Sequence, residues 1–377
     1  MTQEKIRSRG RGAVGNPPGR YEVRRPAPLE DAGPVVQGHP VDPVSIATVV
    51  TSDRTRTIIA RNDSPDIPFD RSVNPYRGCE HGCIYCFARP SHAWLGLSPG
   101  LDFETRIVAK PDAAQRLETE IRRSGYQPKV IALGSNTDPY QPVERRMGIT
   151  RGVLQVLARH RHPVSIVTKS DLVLRDLDVI VPMAEQRLAS VMISVTTLDA
   201  ELARKMEPRA VAPHRRIATI RSLARAGVPV GVLASPVIPG LNDAEIERVL
   251  AACAEAGARS AGYVLLRLPH EVKDLFRDWL HEHYPLRASH VLSLVRQCRD
   301  GALNESAFGG RMRGSGVHAD LIRRRFEVAA RRFGLDGGLD PLDVSRFRRD
   351  AMQESLFDPP AGGDPGETPR GRQSPPR

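Results

Sequence analysis

Residues 74–92 read NPYRGCEHGCIYCFARPSH, and the spacing inside them, Cys79-x3-Cys83-x2-Cys86, decides how the chain is read. Three thiolates this close repel one another unless a cation sits among them. The loop therefore points to metal chemistry, as zinc or as iron–sulfur. Zinc needs a fourth ligand, and His81 or His92 is at hand. Structural zinc sites, however, usually pair two cysteine knuckles, and no second CxxC exists. An iron–sulfur cubane normally takes four cysteines. The chain has five, but Cys253 and Cys298 lie far along in helical stretches. Cys253 sits on an apolar helix face and reads as a small core residue, and Cys298 is read the same way. Three cysteines without a fourth leave one iron open to a small molecule.

Downstream, short apolar runs stand before helical stretches. Residues 129–134 (KVIALG), 164–168 (VSIVT), 191–195 (VMISV), 228–234 (VPVGVLA) and 262–266 (GYVLL) are strand candidates. Their near-continuous apolar content is that of strands buried on both faces. The intervening segments carry helical spacing, as in Ile246, Val249, Leu250 and Cys253. Asn242 or Asp243 is placed to cap that helix. A further strand at residues 72–76 delivers the cysteine loop and brings the count to six. Repeated strand–helix units imply a parallel sheet or barrel, in which ligands gather at the carboxyl ends of the strands.

The 377 residues suffice for a large core without disulfides. No apolar run is long enough for a transmembrane helix, and residues 1–5 (MTQEK) open no secretory signal. Few, unevenly spaced cysteines fit a reducing cytoplasm. The net charge of +11 permits nucleic-acid binding, although only six of the 55 basic residues are lysines and the bias also fits genome composition. Residues 1–60, rich in Gly, Pro and Arg, read as a disordered basic arm and linker, and residues 351–377 as a disordered tail.

The cysteine spacing, with the aromatic Tyr85 before the last cysteine, resembles the signature of the radical S-adenosylmethionine (SAM) superfamily. The resemblance implies an α/β fold, a partial (β/α)6 radical SAM barrel over residues 61–285, with a C-terminal helical extension at 286–350. It implies a [4Fe–4S] cluster on Cys79, Cys83 and Cys86. S-adenosyl-L-methionine would chelate the open iron and be cleaved reductively to a 5′-deoxyadenosyl radical that abstracts hydrogen from substrate. A flavodoxin- or ferredoxin-like electron donor is implied as partner.

Further residues join that resemblance by position. Residues 134–142 (GSNTDPYQP) follow the second strand, where the family grips the methionine amino group; the usual Gly-Gly-Glu is missing, and Gly134, Ser135 and Asp138 stand in its place. Lys169 ends the third strand and suits the methionine carboxylate. Ser194 ends the fourth. Ile238, after the fifth, and Tyr85 are candidates to line the adenine. The stretches TDPYQP and TKS resemble the spore photoproduct lyase-like, or DNA repair photolyase-like, branch. Arg267 ends the sixth strand and is a candidate to face substrate, and Arg311 and Arg313 lie in a Gly-rich loop that either binds phosphate or is only solvated.

Two departures stand against thymine-dimer cleavage. That lyase has a hydrogen-donating cysteine after its second strand, whereas residues 134–138 contain none; it has a relay tyrosine after the third cluster cysteine, where this chain has Phe87. The substrate is therefore left open, nucleic acid being one candidate. The competing reading is a zinc-stabilised, basic nucleic-acid-binding module without turnover.

Overall fold

The computed structural model describes residues 10–21 and 46–350. Ten strands are present among them: β1 Val49–Ser52, β2 Ile59–Arg61, β3 Arg71–Val73, β4 Tyr76–Arg77, β5 Arg106–Ala109, β6 Ile131–Leu133, β7 Val164–Thr168, β8 Ala189–Ser194, β9 Val230–Val237 and β10 Ala261–Leu265. Seven form one sheet in the order β10-β9-β8-β7-β6-β3-β2. The six from β3 to β10 run parallel, each beside its neighbour in chain order, and β2 closes the edge antiparallel to β3. All six expected strands are in place, as an open parallel α/β sheet of the partial-barrel kind. A small sheet, β1-β5-β4, lies apart from it.

Burial explains the apolar runs. Every residue of β3 and β6 is buried, and β8 has one half-buried position in six. Helices Ala113–Ile121, Ile149–Arg159, Leu177–Glu185, Pro213–Arg225 and Ile246–Glu255 supply one wall of the main core, with Leu117, Leu154, Ile180, Leu223 and Leu250 fully or almost fully buried. Cys253 belongs to this core, and burial pushes its thiol up to about 12, so it is a packing residue. Cys298 is buried in the same cluster.

A second apolar cluster lies at the carboxyl ends of the strands. It joins Ile84 and Tyr85 of the cysteine loop to Leu202 and Met206, to Ile238 and Leu266, and to Val272, Phe276, Trp279, Val291 and Val295. The last five come from helices Val272–His283 and Pro285–Gln297. The expected boundary at 285/286 falls in the first turn of helix Pro285–Gln297, which packs on helix Val272–His283 and shares its apolar cluster with the cysteine loop. Helix Gly316–Arg332 packs instead on Ile246–Glu255, with Ile322 and Phe326 in the main core. Helices Pro285–Gln297 and Gly316–Arg332 are the expected C-terminal helical extension, packed on the core.

The expected disorder of residues 1–60 is corrected where the structure describes them. Arg11 is buried and donates to the carbonyls of Glu104 (2.9 Å) and Ile46 (2.7 Å). The amides of Gly12 and Ala13 each donate to the Glu104 carboxylate at 2.9 Å. Gly12 passes so close to the Gly82 carbonyl that a β-carbon would collide with it. Low apolar content signals disorder only when backbone groups find no partners, and here a buried carboxylate supplies them. Strands β1 and β2 also fall within this span. The calls on residues 1–9, 22–45 and 351–377 lie outside the described residues.

Glu104 is the post to which this region is tied. Its carboxylate also takes Arg89 at 2.5 Å, both side chains being fully buried. Arg89 in turn donates to the carbonyls of Gly82 (3.2 Å) and Cys83 (2.9 Å). Breaking one side of a buried ion pair leaves an uncompensated charge. Glu104→Ala is expected to cost about 3–5 kcal/mol in urea denaturation, far more than removing an exposed acid such as Glu201.

Candidate active site at the strand ends

The segments that follow β3, β6, β7, β8, β9 and β10 meet at one edge of the sheet, and the sequence candidates stand on them. Asn74, after β3, accepts from the Asn136 amide at 3.1 Å and lies 3.5 Å from the Ser135 hydroxyl. Gly134 has φ +88°, and any β-carbon there would strike the Val167 carbonyl oxygen, so only glycine allows β6 to end against β7.

The segment after β6 holds the cysteine loop. Gln141 is fully buried and brackets Cys79: it donates to the Gly78 carbonyl (3.1 Å) and accepts from the Glu80 amide (2.9 Å). Thr137 donates to the Tyr76 carbonyl at 2.9 Å. Asp138 accepts from the Tyr140 amide (2.9 Å), the Thr168 hydroxyl (2.7 Å) and the Lys169 amide (2.8 Å), and its Oδ2 lies 3.4 Å from Nδ1 of His81. A carboxylate has about four acceptor positions, so these are all committed within the protein. Asp138 clamps β6 and β7 to the cysteine loop. Burial works against its charge, but His81 and the donated hydrogen bonds outweigh it and hold its pKa below the usual range.

Lys169 is differently placed. Its ammonium donates to the Ser194 hydroxyl at 2.7 Å and lies 6.0 Å from the centroid of the Tyr85 ring. It makes no ion pair within 4 Å among the described residues. Ser194 also lies within 3.4 Å of the Ser235 carbonyl, to which its hydroxyl donates. Lys169, Ser194 and Tyr85 are thus brought together beside the cysteines. Ile238 joins them through the apolar cluster that it shares with Tyr85. Its amide donates to Asn242 Oδ1 at 2.6 Å, and Asn242 donates to the carbonyls of Thr196 (2.7 Å) and Pro236 (3.0 Å). Asn242 ties strand ends together rather than capping the following helix.

A buried polar network that sequence reading missed supports Tyr85. Its hydroxyl donates to Glu207, which also takes Thr196 at 2.7 Å and the guanidinium of Arg216. Arg216 donates onward to the Ser194 carbonyl at 3.1 Å. Although burial opposes ionisation, the charges of Arg216 and Lys169 and the two hydroxyl donors hold the Glu207 carboxyl down at about 2. The available signal was an acid in KMEPR between two helices, with an arginine nine residues on.

No three Cys, His, Asp or Glu side chains among the described residues converge as a ready-made ion site. The donor chemistry nevertheless fits a cluster on three thiols. All three cysteines are free, and burial raises all three thiol pKa values, that of Cys83 to about 12. Cys79 is raised further by the Asp138 carboxylate and then by the charges of Cys83 and Cys86, and Cys83 by the Glu207 carboxylate. Opposing this, the Asp138 amide donates to Cys79, the Ala88 and Arg89 amides donate to Cys86, and the Lys169 charge acts on Cys83 and Cys86. These are the donors and cation that buried thiolates need. Both imidazoles of the zinc reading point elsewhere: His81 faces Asp138, and His92 donates to the Arg106 carbonyl at 3.0 Å and packs edge-on against Phe103.

The model of the Radical SAM superfamily matches residues 73–253, from the end of β3 through the helix after β9. A chain described as an uncharacterised protein of Mycobacterium tuberculosis is 39% identical over 233 residues, 61% of this chain and 68% of that one. The chain belongs to the radical SAM superfamily. A further relative, an uncharacterised protein of Methanocaldococcus jannaschii, is 30% identical over 175 residues, 46% of this chain and 62% of that one. Among solved structures, spore photoproduct lyase complexed with dinucleoside spore photoproduct matches 77% of this chain and 81% of its own with TM-score 0.53 and 15% identity. That likeness is one of fold.

The Glu207 network makes a prediction with a defined sign. A carboxyl at about 2 when folded, against an ordinary 4.5, stabilises the fold fully above pH 4.5 and loses that contribution as pH falls toward 2. Glu207→Gln is expected to cost about 3 kcal/mol at pH 7 by denaturant titration. The gap to wild type should close as the pH approaches 2; a gap independent of pH would refute the assignment.

Proposed function

We propose that this radical SAM enzyme holds a [4Fe–4S] cluster on Cys79, Cys83 and Cys86 and binds S-adenosyl-L-methionine across the ends of β6 to β9. When bound, these groups would supply reductive cleavage of the sulfonium to 5′-deoxyadenosine, with abstraction of a substrate hydrogen by the carbon radical released. The observation that carries the reading is Lys169. Among the described residues it is a cation without a carboxylate ion-pair partner, set between a hydroxyl and an aromatic ring at the strand ends, within electrostatic reach of two of the three thiols.

The chain's own residues divide the remaining work. Lys169 and Ser194 would take the methionine carboxylate. Tyr85, fixed by Glu207 and Thr196, offers its ring, and Ile238 the apolar wall, for the adenine. Ser135 and the backbone around Gly134 remain for the amino group. Asp138, having spent its acceptors, acts as a positioning residue and not as a ligand. The barrel needs an electron from outside, and a flavodoxin- or ferredoxin-like donor fits. Five free cysteines fit a reducing cytoplasm. No helix of the described residues is long and apolar enough to cross a membrane. A lyase-type outcome and a nucleic-acid substrate suit the fold's relatives and the basic charge. The missing cysteine after β6 and Phe87 after Cys86 set the reaction apart from thymine-dimer cleavage.

The test is anaerobic reconstitution followed by dithionite and S-adenosyl-L-methionine. The reading expects 5′-deoxyadenosine from wild type and none from Cys83→Ala, which loses iron while keeping wild-type circular dichroism. Wild-type iron content and cleavage in Cys83→Ala would remove the ligand assignment.

Lys169→Ala separates cofactor binding from cluster binding. Losing one charged hydrogen bond should weaken S-adenosyl-L-methionine about tenfold or more by calorimetry while iron content stays constant. Unchanged affinity would remove that role.

A further inference from the structure

Beyond β10, three guanidiniums gather where the cofactor site makes no use of them. Arg299 is buried and donates to the carbonyls of Leu265 (3.2 Å) and Leu266 (2.9 Å), closing the end of the strand. Glu305 lies 3.8 Å from it. Arg311 pairs with Asp66, whose carboxylate also accepts the Gly309 amide at 2.8 Å. Two carboxylates thus serve three cations, and the cation left over is Arg267.

Arg267 makes no ion pair within 4 Å among the described residues. Its Nε is buried without a hydrogen-bond partner, and Nη1 reaches only the Met312 sulfur at 3.6 Å. An arginine stays charged in a protein, and a desolvated charge without a partner is costly. Burial and the neighbouring charges of Arg311 and Arg299 press against that charge, and the Asp66 carboxylate, already paired with Arg311, opposes them more weakly. The guanidinium lies 5.9 Å from the centroid of the Phe87 ring, and Phe87 is 50% exposed although it directly follows Cys86. An unpaired cation and an uncovered aromatic face therefore stand together one residue from the cysteine trio.

We propose that Arg267 and Phe87 form a substrate subsite that takes a phosphate group, the guanidinium edge gripping its oxygens and the Phe87 face meeting the part of the substrate next to it. A planar fork of donors matches a phosphate bidentately, and an aromatic face takes a neighbouring apolar or planar group. The subsite rests on the reading of the strand ends as the reaction site, since it sets the substrate beside the cysteine loop.

The probes are thymidine 5′-monophosphate and thymidine, titrated calorimetrically into the iron-loaded chain saturated with S-adenosyl-L-methionine. The monophosphate is expected to bind about tenfold or more tightly than the nucleoside. Arg267→Ala should abolish that difference, Arg267→Lys should keep part of it, and Arg221→Ala, which removes an exposed arginine on helix Pro213–Arg225, should leave it intact. Thermal midpoint and iron content report whether each variant is folded. The subsite is overturned by equal binding of the two probes, by no binding of the monophosphate, or by a folded Arg267→Ala that binds as wild type. Binding seen only without S-adenosyl-L-methionine would also overturn it, because Arg267 would then belong to the cofactor. Cofactor cleavage is followed in the same preparations. Its absence from wild type would sink the radical reading while leaving phosphate recognition by Arg267 standing.

Discussion

Three thiols cannot ionise together inside a protein unless positive charge or donated hydrogen bonds accompany them. The region around the cysteine loop is arranged to provide both. Amides of Asp138, Ala88 and Arg89 reach the sulfurs of Cys79 and Cys86, and the charge of Lys169 bears on Cys83 and Cys86. The loop is held from several sides: Glu104 grips it through Arg89, Gln141 brackets Cys79, and Asp138 reaches His81. Each anchor is buried, so each trades a desolvation cost for fixed geometry. A loop that must present three sulfurs to one cluster has a use for that rigidity.

The same economy divides the polar side chains around the mouth into two groups. Side chains whose polar atoms are satisfied internally, such as Asp138, Asn242 and Glu207, stitch strand ends together. Those with spare capacity, Lys169 and Arg267, are cations, and they lie beside the aromatic side chains Tyr85 and Phe87 that flank Cys86 in sequence. One tyrosine is tied down by Glu207 and nearly buried; the neighbouring phenylalanine is open. Two residues apart in the chain, they have different partners in the proposed reading.

Much of this was legible in the sequence because parallel strands buried on both faces leave unbroken apolar runs. All six were visible, and strand ends could be placed well enough to pick out Lys169 and Ser194. The cysteine trio announced itself through spacing alone. What stayed hidden depends on contacts between distant residues. Glu207 and Arg216 look like ordinary surface charges until folding buries them against Tyr85. Asp138 looked like a ligand because one-dimensional order cannot show that Tyr140, Thr168, Lys169 and His81 exhaust its acceptors. Residues 11–13 read as a loose basic arm because composition does not reveal a buried carboxylate waiting for two amides.

The central claim is that the three cysteines carry a cubane with one iron free for a sulfonium ligand. Electron paramagnetic resonance of the anaerobically prepared, dithionite-reduced protein tests it most directly, recorded with and without S-adenosyl-L-methionine. The account predicts a reduced [4Fe–4S] signal from about four irons per chain, its shape altered by the added ligand. Stoichiometric zinc with no iron signal, or a cluster signal indifferent to S-adenosyl-L-methionine, would contradict it.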